Sequence, residues 1–350
     1  MINKNPFWLS GSNHPVCIGT GLIALDVVIN GSDYGKASLW AGGSCGNVLT
    51  VLAYLGWLSY PVANHKDDCA SETIRKDMTR WGVNTQFILT SEKGITPIVV
   101  ERLHCNGNLA THKFQFRCPI CGAQLPRNRP FSLELAARIN KEMPAAKVFY
   151  FDRVSVGALA LAKEQKSRGA LVVFEPVILS KEPLFEESLD VAHIVKYSGE
   201  QIDISRFKCN IPLEIQTLGS KGLRYKRCFE QSESKWRDLP AFSVPELVDS
   251  AGAGDWCTAG LIHSLGQNGA EGFTKAPDQA VENALLFGEA LAALKCRYKG
   301  ARGIMYNLSK NEFESFTRGI MEGKNLDFHP SPISQEGESQ NMKYICSACR

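Results

Sequence analysis

The run Val248-Asp-Ser-Ala-Gly-Ala-Gly-Asp255 sets a carboxylate directly after a glycine-rich turn. Gly252, Ala253 and Gly254 lead into "GDWCTAGLIHSLG", which has the spacing of a helix. Free N–H groups at such a turn, with the positive end of a helix dipole behind them, suit an anion such as phosphate. An acidic residue there also serves as an ordinary helix cap. On these four residues alone, anion site and capped turn are equally good readings, and Asp255, itself an anion, is the puzzle.

Sulfur makes the second constellation. Cys118-Pro-Ile-Cys121-Gly122 has the form of a knuckle in which two thiolates grip one side of a tetrahedral zinc, and Cys346-Ser-Ala-Cys349 supplies a second pair. Either pair alone could be redox-active or accidental. Together they complete a four-thiolate set, the usual form of a structural Zn2+ site, formed within one chain or between two. The other eight of the twelve cysteines are scattered (Cys17, Cys45, Cys69, Cys105, Cys209, Cys228, Cys257, Cys296) and read as reduced thiols. A third motif, GxGxxA at Gly19, Gly21 and Ala24, suggests a dinucleotide fingerprint, but that requires a helix at the glycines, and "LIALDVVIN" reads as strand.

These groups need a scaffold. Val48, Leu49, Val51, Leu52 and Leu55 share one helical face, and Ile74, Met78 and Trp81 repeat the pattern before a stop at Gly82. "PIVVERL" and "THKFQFR" flank the turn-like "CNGN" as two strands. From Ser132, which opens a helix, short apolar strands ("KVFYF", "ALVVF", "AHIVKYS", "LEIQTL") follow one another, with a helical "SVGALALAKEQKSRG" between the first two. Such alternation predicts an α/β protein with a doubly wound, mostly parallel sheet covered on both faces. Later helices are "DQAVENALLFGEALAALKCRY" and one starting at Ser309, with Glu312 placed for a capping box. Residues 324–343 are polar and read as a tether.

A chain of 350 residues can bury a large core, and a net charge of +3 without a basic patch argues against a nucleic-acid binder. No signal-peptide pattern or membrane-length apolar run is present, so a cytoplasmic protein with a small-molecule partner and no membrane partner is expected.

Four segments, in order, resemble the ribokinase-like (PfkB) family of carbohydrate kinases: "GTGLIALD", "WAGGSCGNVLTVLAYLG", "QTLGSKGLRY" and "VDSAGAGDWCTAG". The resemblance implies a kinase domain over 1–323, with a small β lid drawn from about 24–40 and 95–117, the knuckle at 118–121, and a tail at 324–350. It implies transfer of a phosphoryl group from ATP, with Mg2+, to a hydroxyl of a sugar-like substrate. Asp255 would be the general base and the 251–254 amides an anion hole. Asp26, Gly43 and Asn47 would hold acceptor hydroxyls. Thr217, Gly219 and Gly222 would line the ATP side, with the helix around Asn283 near the adenine. Departures from the family pattern bear on metal and substrate. "KYSGEQ" offers Glu200 one position early as a Mg2+ contact, "FEPV" has Glu175 and Val177 where Asp-Pro-Asn is usual, and Trp256 and Cys257 put the shape of the pocket beside the base in question. Arg153 is a candidate contact for a substrate acid or phosphate, its alternative being a surface arginine. The family also contains nucleoside kinases, a non-catalytic binding protein of this fold is the other reading, and a homodimer is left open.

Overall fold

The computed structural model describes residues 7–9, 13–30, 37–106, 109–179, 182–205, 207, 209–228, 235–244, 247–324, 338–340 and 345–349. The chain opens with β1 (Val16–Thr20), β2 (Ala24–Asn30) and β3 (Ala37–Gly42), then α1 (Ser44–Tyr54) and β4 (Leu58–His65). Helix α2 (Cys69–Arg80) ends before Gly82, whose φ of 83° accepts the left-handed turn that a bulkier residue resists. Strands β5 (Ile88–Thr90), β6 (Ile98–Asn106) and β7 (Leu109–Gln115) follow. The alternating section then runs α3 (Leu133–Asn140), β8 (Val148–Phe151), α4 (Val156–Ser167), β9 (Leu171–Phe174), α5 (Glu182–Val191), β10 (Ile194–Ser198) and β11 (Leu213–Thr217). An antiparallel pair, β12 (Leu223–Arg227) and β13 (Arg237–Leu239), precedes α6 (Ala253–Leu265), α7 (Gly269–Lys275), α8 (Asp278–Lys295), α9 (Gly303–Asn307) and α10 (Lys310–Met321). Three residues of the tail form β14 (Glu338–Gln340).

Helix starts follow the local chemistry. Ser132 and Ser155 accept from the N–H groups of Leu135 and Ala158, and Ser309 and Glu312 make the full capping box at α10.

Nine strands form the main sheet in the order β13-β12-β11-β10-β9-β8-β1-β4-β5, parallel from β11 to β5. Both faces are covered, as the strands themselves require. On β8 and β9, Val148, Tyr150, Leu171 and Val173 belong to one apolar cluster, while Phe149, Phe151, Val172 and Phe174 belong to another. Period-2 strands of this kind put an apolar residue on each side at every step. Helices α1, α6 and α8 pack on the first face, and α3, α4 and α5 on the second.

The smaller sheet has the order β14-β3-β2-β6-β7, with Asp26 of β2 set between Trp40 and Val99 of its neighbours. Its strands fall where "ALDVVIN", "PIVVERL" and "THKFQFR" predict them. The tail differs from a simple tether, because Glu338–Gln340 pairs antiparallel with β3 and closes one sheet edge. Residues 325–337 and 341–344 lie outside the described residues. The dinucleotide motif fails, since Ala24 begins a strand where a fingerprint needs a helix. Among the described residues no helix is long and apolar enough to cross a membrane.

Candidate active site

Gly252 caps α6 with φ 79°, and a Cβ there would lie 2.7 Å from the Ala301 Cα, so the turn requires glycine. Its amides divide into two sets. Ala251 N–H donates to Asp249 Oδ1 at 2.8 Å and Ala253 N–H to Ser250 O at 3.1 Å. Those of Gly252, Gly254 and Asp255 have no acceptor among the described residues, and Gly254 is exposed. The expected 251–254 anion hole is therefore narrower: the tight turn already uses two of its four amides.

Asp255 does not cap the helix. Gly252 is the cap and has no side-chain capping bond, while Asp255 Oδ2 accepts from Asn47 Nδ2 of α1 at 2.8 Å. Asn47 Oδ1 is buried with no partner, leaving an acceptor for a hydroxyl beside the carboxylate. Burial pushes the Asp255 pKa up to about 8, the nearby Glu175 charge adds to the rise, and the Asn47 bond and Lys196 oppose it. Such a group is mostly protonated at neutral pH and becomes a carboxylate able to accept a hydroxyl proton as the pH passes about 8.

Behind it lies a buried polar network. Lys196 Nζ of β10 donates to Glu175 Oε1 at 2.6 Å and to Gly254 O at 3.2 Å, and Glu175 Oε2 accepts from Thr258 Oγ1 at 2.7 Å and Tyr150 OH at 3.1 Å. Burial works against the Lys196 charge, but Glu175 outweighs it and raises its pKa. The network fixes the first turn of α6 against the sheet. Lys295, fully buried at the end of α8, bonds Asp249 O at 2.6 Å, and Asp249 Oδ2 accepts from Gly300 N–H at 2.8 Å, so the preceding loop is held as well.

Asp152 stands one residue past β8, near enough to Asp255 for its charge to favour the protonated form of that group. It accepts from Leu22 N–H at 2.9 Å and from the Ser44 hydroxyl, and its Oδ2 lies 3.3 Å from Arg153 Nη1. Asp26 sits against Gly42, where a Cβ would meet its carboxylate at 1.8 Å, and the Gly43 backbone also interacts with it. Burial raises the Asp26 pKa to about 7, opposed by Arg302 and Gly43. Arg302 in turn bonds Ala41 O and Asp77, and Tyr306 OH reaches Asp77 Oδ1 at 3.1 Å. Asn47 and Asp255 are thus in direct contact, while Asp26, Gly43 and Arg153 stand on elements that converge on them.

Thr217 ends β11 with its hydroxyl on Tyr197 O at 3.4 Å. Gly219 and Gly222 have φ of 59° and 94° in the next turn, and a Cβ on Gly222 would meet Leu239 O at 2.2 Å. Asn283 lies on α8 and accepts from Gln279 at 3.2 Å. Glu200 is exposed just past β10. Trp256 and Cys257 turn away from the site. Trp256 is fully buried with Nε1 on Ala301 O at 2.8 Å, and Cys257 Sγ reaches Glu289 at 3.5 Å, so helical geometry puts both in the core and not in a pocket beside Asp255.

The four knuckle cysteines meet. Their sulfurs all lie within 4.8 Å of one another, with Cys118 to Cys349 at 3.6 Å and Cys121 to Cys346 at 3.7 Å. Four thiolates about 2.3 Å from a tetrahedral zinc would be about 3.8 Å apart, so the donor set fits that ion. No disulfide occurs among the described residues.

Asp152, Lys196, Thr258 and Lys295 were not singled out from sequence. The available signal for two of them was a charge at or near the end of an apolar strand, as in "FYFD" and "HIVK". In open α/β sheets ligands bind at the carboxyl ends of the strands.

The fold is that of ribokinase-like kinases. The model of the pfkB family carbohydrate kinases matches residues 205–306, in line with the resemblance read from the motifs. An uncharacterized sugar kinase from Pyrococcus horikoshii superposes with a TM-score of 0.64 at 22% identity, covering 87% of this chain and 99% of its own. A fructokinase with bound ATP from Xylella fastidiosa gives 0.62 at 18% identity, covering 82% and 93%. An Arabidopsis thaliana ribokinase complexed with ribose and ATP gives 0.60 at 19%, covering 83% and 95%. No curated protein matches the chain.

Proposed function

We propose that this protein transfers the γ-phosphoryl group of ATP to a hydroxyl of a sugar or sugar derivative. The observation that carries the proposal is the Asn47–Asp255 contact beside the uncommitted amides of Gly252 and Gly254. Asp255 takes the proton of the acceptor hydroxyl as its oxygen bonds the γ-phosphorus. The bond from that phosphorus to the bridging oxygen breaks, and ADP leaves. The Gly252 and Gly254 amides stabilise charge on the moving group, which needs no reorganisation because the turn is already fixed. Asn47 and Asp26 orient the acceptor under the smaller sheet, which acts as the lid. Thr217, Gly219, Gly222 and the Asn283 face of α8 hold the nucleotide. Glu200, exposed past β10, is free to bind Mg2+ directly or through water, and the ion would neutralise phosphate charge. Cys118, Cys121, Cys346 and Cys349 hold a structural Zn2+.

A panel of sugars, sugar acids, sugar phosphates and nucleosides, each with ATP and Mg2+, tests the reading. ADP formed in step with a phosphorylated sugar is expected. Turnover on nucleosides alone would make it a nucleoside kinase, and failure of every acceptor would leave a non-catalytic binding protein.

A further inference from the structure

A cleft of about 740 Å³ opens at the β5 edge of the main sheet and carries far more positive than negative charge. Arg75, Lys93, Arg129 and Arg138 line it against a single acid, Glu134. Among the described residues no carboxylate lies within ion-pair distance of Arg129 or Arg138, and Arg75 Nε is buried with no hydrogen-bond partner. Leaving a buried guanidinium nitrogen unpaired costs stability, and placing like charges together costs more unless an anion binds among them.

The cleft also leads to the chemistry. A smaller cavity shares Asn64, Arg129 and Phe131 with it and is lined further in by Gly21, His65 and Arg153. Gly21, His65 and Arg153 stand at or just beyond the carboxyl ends of β1, β4 and β8, the edge at which ligands enter such a sheet. Arg153 touches Asp152, which bonds Ser44, the first residue of the helix whose Asn47 holds Asp255. One row of contacts thus joins Asp255 to Arg153 in the smaller cavity, which in turn shares Arg129 with the cationic cleft.

We propose that the acceptor carries an anionic group, a phosphate or carboxylate, which docks between Arg129 and Arg138 while its hydroxyl meets Asp255. The assignment of that anion to the acceptor rests on the kinase reading. Guanidinium groups suit this task because their fork of donors matches two oxygens of either anion. The segment carrying Arg129 is anchored just upstream by Ile98 N–H on Pro126 O at 3.0 Å and by the Arg117–Gln124 bridge around the cysteine knuckle.

The test is calorimetric titration with a non-hydrolysable ATP analogue and Mg2+ already bound, so that the α6 amides are filled. Ribose is compared with ribose 5-phosphate and ribonate, and fructose with fructose 6-phosphate. At least one anion should bind tenfold or more tightly than its parent sugar, and the identity of the winner distinguishes phosphate from carboxylate. In an Arg129→Gln, Arg138→Gln double variant that advantage should fall below threefold. Both side chains are exposed, so an unchanged melting temperature will verify folding. No advantage in either pair, or one that survives the double variant, overturns the proposal. Since binding is read without turnover, an anion that binds but is never phosphorylated leaves this site standing and defeats the kinase reading instead.

Discussion

The two ends of the site are built on opposite principles. Around Asp255, side chains from α1, β10 and α6, with Glu175 just past β9, interlock, and the buried Lys196–Glu175 pair is satisfied on both sides. In the arginine cleft, Arg129 and Arg138 have no carboxylate within ion-pair distance among the described residues, and one wall is the segment 129–131, which has no regular structure. The difference separates chemistry from recognition. A reacting end gains from groups fixed before the substrate arrives, whereas a recognition end keeps its polar groups for the ligand.

Substitution at the closed end should have the largest effects. Asp255→Asn should lower kcat by roughly a thousandfold or more, with ATP affinity changed little, measured by coupled ADP release and by titration with ATP. Wild-type turnover in that variant would remove the base and with it the contrast. Lys196→Met should come next. It leaves Glu175 without its buried counter-charge, so about 3–5 kcal/mol of stability should be lost in denaturant titration. A loss under about 1 kcal/mol would mean that the network is not the rigid half of the comparison. Outside both ends, Cys346→Ser with Cys349→Ser should abolish a zinc content of about one ion per chain and lower the melting temperature, while kcat falls less than about threefold. Unchanged metal content would detach the tail from Cys118 and Cys121.

The same contrast governs what could be read from sequence. The α6 turn was legible because its information is local: glycines, a helix and an acid within a few residues. The strand alternation was legible for a similar reason, since each apolar run declares its own burial. Glu175 and Lys196 are 21 residues apart and meet only because successive parallel strands put their ends at one edge. The strand at Glu338–Gln340 is polar and short, and only its long-range pairing with β3 makes it a strand. The four cations of the arginine cleft stand on α2, α3 and two loops, which no spacing rule connects. Trp256 marks the reverse error, a residue adjacent to the base in sequence that helical geometry turns into the core.

The most direct test of the central claim is the pH dependence of kcat/KM in the wild-type protein. Burial and Glu175 raise the Asp255 pKa to about 8, so the group is mostly protonated below that pH and cannot accept a proton. The sign follows: activity should rise about tenfold per pH unit from pH 6 and level off above about 8. The same raised pKa means that folding stability of the ligand-free protein should decline as pH rises from about 4 through 8, where the buried charge forms. A kcat/KM profile flat between pH 6 and 9 would contradict the assignment of this recessed carboxylate as the base.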